Sequence, residues 1–400
     1  MKKIFILLVL AISIGACQKQ EIILASAEDH TFLVYNQKII ESPIVVNDGF
    51  VMITESEKLR YLTKISAAGE IIWQNKLADL FNFSSKVEIV SLKLDKTIDN
   101  RYFLIVVHSD SIKYKDEIQH VQFIKFDETG NSVYNFQKAI IDGIDGEDDS
   151  NLFSFFSAYE DEQGNIVCLS KNVKWSSVLE QNVVSLQISK YSNSGELLSN
   201  ERLVIPEIYE MWRILKHGNN QFSLIADSRD YLISGYKAYV CTIDDTGNLL
   251  DTFAVYLSGY LANSFVFNDD YYFITNSYVN DGSHISQYDK EGNSINNYDI
   301  NVGNKQFVCN SVTLTDNEVY LVGVMANNIV EINRPAMSWA KLSNNTYTNL
   351  GEIHSIDATT GVGIFFNPNG SLTLLGKKNS FGDENIFVLK TKTDGTVLIE

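Results

Sequence analysis

The run DGIDGEDDSN at residues 142–151 concentrates carboxylates more than any other stretch of this sequence. Asp142, Asp145, Asp148 and Asp149 could supply oxygen ligands to Ca2+, the one cofactor the sequence leaves open. Their spacing departs from the D-x-[DN]-x-[DN]-G loop that wraps calcium, and the bland reading is a solvated acidic connection. The six histidines, His30, His108, His120, His217, His284 and His354, are scattered, and each reads as a loop or strand-end residue rather than a ligand. No G-x-S-x-G, H-E-x-x-H or Cys-x-x-Cys occurs, nor a Gly-rich phosphate loop opening a helix, so local spacing shows no catalytic constellation. Recognition chemistry is better represented. Trp175, Trp212, Arg213, Arg229, Tyr231 and Arg334 are large, rigid side chains in or beside long connections, where they would anchor a ligand unless they merely pack or are solvated.

A recurring turn must position these residues. KISAAG, KFDETG, KYSNSG, TIDDTG, QYDKEG and KTKTDG end at Gly69, Gly130, Gly195, Gly247, Gly292 and Gly395. The last gap is about twice the others and holds a degraded copy, WAKLSNNT, with Thr346 in the glycine slot. A short polar residue such as Asp127 or Ser192 can hydrogen-bond the turn's own backbone, and the glycine three residues on accepts the positive φ that closes a bulged hairpin. Around the turns, apolar and polar residues alternate: Val184, Leu186 and Ile188 point one way, Ser185, Gln187 and Ser189 the other. A second row of turns, at 47–49, 97–100, 162–165, 217–220, 268–270, 315–318 and 367–370, lies between two more strands of each unit. Adjacent acids such as Asp269 and Asp270 belong to these turns and read as backbone geometry.

Seven units of four strands predict an all-β fold, a seven-bladed β-propeller of four-stranded antiparallel blades, with six or eight blades or stacked sandwiches as alternatives. Both turn rows then lie on one face, and the long connections carrying the candidate anchors lie on the other. To close the ring, TFLVYNQKII at 31–40 is expected to pair with the C-terminal TVLIE in the last blade. Five residues before each turn glycine stand Lys64, Lys125, Lys190, Thr242, Gln287, Lys341 and Lys390. The expectation for that row is exposure, keeping strand surfaces soluble.

The chain is 45% hydrophobic with only four prolines, which leaves no Pro-rich linker to divide it, so residues 31–400 read as one domain. Its formal charge of −18, without a basic stripe, makes nucleic acid an unsuitable partner. Cys168, Cys241 and Cys309 sit in apolar strand-like runs and read as buried free thiols.

The N-terminus is built differently. MKK, then the apolar IFILLVLAISI, then IGAC resembles the lipobox of bacterial lipoprotein signals, in which the cysteine is acylated and becomes the mature N-terminus. The resemblance implies a signal peptide at 1–16, lipidation of Cys17 and a tether at 17–30. Loss of Lys2 and Lys3 would take the charge to about −20. It further implies attachment to the cell envelope, with Gln18 after the cysteine favouring the outer membrane and leaving the periplasmic or outer side open. The repeats resemble those of β-propeller lipoproteins of Bacteroidetes-type bacteria and, distantly, WD40-like and quinoprotein-type propellers. Quinoprotein and outer-membrane-assembly propellers carry a tryptophan after the turn in most blades, whereas here only Trp73 stands there, which argues against a quinone enzyme. Together these readings imply a membrane-anchored binding or scaffold module that meets a protein or glycan partner at the loop face. A glycan hydrolase or lyase using loop carboxylates, or an outer-membrane assembly subunit, is the alternative.

Overall fold

Along Tyr102–Ser109, Tyr102, Leu104 and Val106 turn to one side and Phe103, Ile105 and Val107 to the other, and all six are buried. A strand apolar on both faces needs a neighbouring layer on each side. The computed structural model shows how this is met; it describes residues 37–40, 43–80, 88–97, 101–109, 119–140, 152–176, 181–204, 210–217, 221–230, 235–244, 248–276, 283–300, 305–326, 335–343, 346–353, 358–380 and 383–398. Seven antiparallel sheets, at 38–76, 88–140, 152–204, 210–257, 260–299, 306–353 and 358–398, form blades 1 to 7 of an all-β propeller. The innermost strands touch one another all the way round, with Ala358–Phe366 of blade 7 against Ile44–Val46 of blade 1. The described residues hold one short helix, Leu77–Leu80, and no helix long and apolar enough to cross a membrane.

Seven apolar clusters fill the seven spaces between blades. In blade 1, Val51 and Ile53 join Leu92 and Leu104 of blade 2, while Phe50 and Met52 join Leu375 and Ile386 of blade 7. In blade 5, Tyr272 and Ile274 face blade 6 while Tyr271 and Phe273 face blade 4. Cys168, Cys241 and Cys309 are buried free thiols in these layers.

The hairpins form as the sequence implies. Gly130 has φ +84° and donates its N–H to Asp127 O at 3.0 Å, while Asp127 Oδ1 accepts from the amides of Thr129 and Asn131 at 2.9 Å each. These bonds hold the Asp127 carboxyl below the usual carboxylate range, led by the one from the Thr129 hydroxyl. Blade 6 differs: Ser343 pairs directly with Thr346, and the extra residue moves down the strand to Leu350, opposite Trp339 and Ala340. Trp73 of blade 1 docks on the turn of blade 2, donating its indole N–H to Glu128 O at 2.9 Å and covering Gly130, where a Cβ would sit 2.9 Å from the indole. Phe253 covers Gly292 with its ring, from the register position that Asn75 holds in blade 1, and the backbone carbonyl of Leu350 lies against Gly395. The turn of a following blade is thus covered in different ways, by Trp73 and Asn75 in blade 1 and by Phe253 in blade 4.

Two expectations need correction. Lys38–Ile39 pairs with the second strand of blade 1, in line with Ile44–Val46, and not with the last blade. Among the described residues, the C-terminal segment adds to blade 7 through a bridge between Thr391 and Val397 and the bond from Leu398 N to Lys390 O at 2.9 Å. Residues 31–36 lie outside the described residues. The ring is closed by packing of blade 7 on blade 1 and by Thr373 Oγ1 donating to Ala67 O at 3.0 Å, because each end already has strand partners in its own blade.

The lysine row is not an exposed row. Lys64 is 3% and Lys125 6% exposed. Lys125 Nζ reaches from blade 2 to the buried Glu160 of blade 3 at 2.6 Å, and Lys190 pairs with the adjacent Asp161 at 2.6 Å. Lys64 meets Asp48, and Lys341 meets Glu318, each at 2.9 Å. Successive side chains of a strand point to opposite faces, so Glu160 can serve the preceding blade while Asp161 serves its own. Removing one member of a buried pair strands the other charge. Lys125→Met should therefore lower unfolding free energy by about 3–5 kcal/mol, and the double substitution Lys125→Met with Glu160→Leu should recover most of it in urea titrations.

Candidate functional site

Each innermost strand borders the central channel, and six of the seven carry one residue too many at the same level. The register slips between Ile89 and Ser91, Phe155 and Ser157, Met211 and Arg213, Leu261 and Asn263, Cys309 and Ser311, and Gly361 and Gly363. Blade 1 breaks its inner strand between Ile39 and Ile44 instead. A bulge bends its strand and re-aims the extra residue. Val90, Phe156, Trp212, Ala262, Asn310 and Val362 thus share one register position around the axis.

Ala262, Asn310 and Val362 line a cavity of about 570 Å3, together with Ile39, Ile40, Pro43, Cys309, Thr360, Lys377, Asn379 and Glu384. That volume lies in the range of small-molecule sites. Lys377, Asn379 and Glu384 flank the hairpin that joins Ser371–Ser380 to Asp383–Lys392, which places the cavity toward the loop face. Both charges here are committed: Lys377 Nζ lies 3.2 Å from Glu384 Oε1 and donates to Ile39 O at 3.1 Å. Glu384 Oε1 also accepts from Ile39 N at 3.3 Å. Asn310 Nδ2 donates to Gly361 O at 2.8 Å, which fixes the amide against blade 7. The wall therefore offers amide and hydroxyl groups on a rigid frame, a chemistry of hydrogen bonding and shape.

A second constellation looks more reactive. His217 Nε2 lies 2.6 Å from Ser223 Oγ, which is also 2.6 Å from Tyr271 OH and 3.1 Å from Thr242 Oγ1. Burial lowers the His217 pKa, opposed by the charge of Asp269, so the ring is neutral at pH 7. Ser223, however, is fully buried. Thr242 and His217 occupy the places that Lys190 and Asp161 hold in blade 3, so this network replaces an ion pair and presents no nucleophile to solvent.

Of the candidate anchors, Trp175 lies opposite Asn182, and Arg229 opposite Tyr236, at the loop-face ends of the second strands of blades 3 and 4. Trp212 is the bulge residue of blade 4, beside Arg213. The side chains of these four lie outside the described residues, as do Cys17, Tyr231, Arg334 and the acids Asp142, Asp145, Asp148 and Asp149. Among the described residues no group of three His, Cys, Asp or Glu is placed to hold a metal ion. Asn310, Thr360, Lys377 and Glu384 were not singled out in the sequence, although Lys377 and Glu384 straddle the short SFGD turn with opposite charges.

No protein-family model matches the sequence, and no curated protein matches it. Among solved structures, cobalt-substituted Synechocystis apocarotenoid oxygenase is similar at a TM-score of 0.46 and 9% identity, over 78% of this chain and 71% of that one. A subtype N10 neuraminidase-like protein of A/little yellow-shouldered bat/Guatemala gives 0.42 and 8%, over 75% and 93%. A mannose phosphorylase from Leishmania mexicana gives 0.30 and 12%, over 64% and 89%. At these scores the likenesses carry no argument about the chemistry of this chain.

Glu384 ties the first strand to the last blade by accepting from Ile39 N, and it holds Lys377, which donates to Ile39 O. Glu384→Ala should cost about 2 kcal/mol of stability in urea titration. It should also speed hydrogen exchange at the Ile39 and Ile40 amides more than at the Leu104 amide of blade 2.

Proposed function

We propose that this chain is a cell-envelope lipoprotein, anchored by acylated Cys17, that acts as a binding module for a protein or glycan partner at the loop face. The observation that carries this reading is the cavity at the loop-face end of the channel. Its ammonium and carboxylate are spent on each other and on the Ile39 backbone, so what it turns toward a ligand is neutral hydrogen-bonding surface on fixed strands. Neutral donors and acceptors held by a rigid scaffold suit recognition, because little order is lost on binding. Several acyl groups, each methylene contributing roughly 0.8 kcal/mol, would keep the module on its membrane.

Two measurements test the reading. Labelled palmitate should enter the wild-type chain and not Cys17→Ala, which should move from the envelope to the soluble fraction. Asn310→Trp, which fills the cavity, should lower recovery of the partner co-purified from the native envelope at least tenfold while leaving the melting temperature within a few degrees. Unlabelled wild type overturns the anchoring, and undiminished recovery overturns the cavity as the binding site.

A further inference from the structure

Blade 5 breaks the polar row that its sisters keep. In blades 1, 2, 3 and 6 a third-strand lysine meets a carboxylate near the turn face: Asp48, Glu160, Asp161 and Glu318. In blade 5 the lysine position is Gln287, and its acid is Asp270. Gln287 Nε2 donates to Asp270 Oδ2 at 2.7 Å, so among the described residues the carboxylate receives a hydrogen bond and no countercharge. The amide is locked in that orientation, since its Oε1 accepts from Tyr298 OH at 2.8 Å and from Asn296 Nδ2 at 3.0 Å. Gln287 is 5% exposed, so this frame is built into the blade. Reading Asp270 as a residue that merely shapes its turn is therefore incomplete.

Beside this carboxylate lies a cleft of about 470 Å3 between blades 5 and 6 on the turn face. Phe267, Tyr272 and Leu342 form its apolar wall, and Asn268, Asn317 and Ser343 add oxygen acceptors. Asp270 Oδ1 carries no hydrogen bond among the described residues. The geometry points to a site for a small alkyl amine, whose ammonium takes the place that lysine fills in the sister blades. The ammonium meets Asp270 Oδ1 and the amide and hydroxyl oxygens of Asn268, Asn317 and Ser343, while the alkyl chain lies on Phe267 and Leu342. Aromatic faces add attraction for a cation, and the acidic chain raises the local concentration of amines. The site is on the face opposite the channel cavity and does not depend on the function proposed for it.

The test is calorimetric titration of the folded chain with cadaverine and, as the uncharged control, with 1,5-pentanediol. Wild type should bind cadaverine at least tenfold more tightly than the diol. Asp270→Asn should weaken cadaverine binding at least tenfold. Gln287→Lys, which supplies the blade's own ammonium, should do the same while melting no lower than wild type. Asp251→Asn, an exposed acid of blade 4, should change nothing. Equal binding of the diol, undiminished binding by Gln287→Lys, or no heat with wild type at millimolar amine would each overturn the proposal.

Discussion

The structure depends on one constraint: its second and third strands are apolar on both faces. A sheet of that kind cannot end a stack, because whichever face is left over would expose side chains such as Met52 or Leu375. Closing the sheets into a ring removes the leftover face, and β-propellers answer the edge and face problems together. The alternation at Tyr102–Val107 and at Tyr271–Ile274, each residue serving the opposite neighbour from the next, is the local form of the same rule. The N- and C-terminal blades obey it too, and among the described residues no strand is shared across the seam between them.

Near the turn face the apolar layers give way to a polar tier, and there the blades become individuals. Buried charges demand partners, so lysine and acid occur together where either is buried. Blade 4 meets the same demand with the set His217, Ser223, Thr242 and Tyr271, and blade 5 with a glutamine that donates a hydrogen bond to its acid. Near the loop face the bulges do the corresponding work, setting Ala262, Asn310 and Val362 toward the axis where a regular strand would have turned them into a blade interface. The distinctive chemistry thus lies in departures from the repeat, while stability resides in the repeat itself.

Much of the fold was legible because its signals are local. The glycine five residues after Lys125 needs only its own φ and the side chain of Asp127, and both follow from the KFDETG string. Even the decayed copy in blade 6 was countable, since Lys341 and Leu342 kept their places. What was not legible depends on partners distant in sequence. Whether Lys125 is exposed is decided by Glu160 in the next blade, and where Ile39 pairs is decided by Thr54 and by Glu384 at the other end of the chain. A bulge is a single extra residue and leaves no mark on a two-residue alternation, so Asn310 did not stand out. The backbone positions of the candidate residues Trp175 and Arg229, at the loop-face ends of their strands, follow from strand length and turn position alone.

The central claim is that blade 1 has two neighbours, one next to it in sequence and one at the far end of the chain. Methyl-to-methyl nuclear Overhauser effects in the selectively labelled protein test it directly. Cross-peaks should join Val51 and Ile53 to Leu92 and Leu104, and equally join Ile39 and Met52 to Leu375 and Ile386. Cross-peaks from blade 1 to blade 2 alone, with Met52 silent toward Leu375 and Ile386, would mean an open stack of sheets and would contradict the ring.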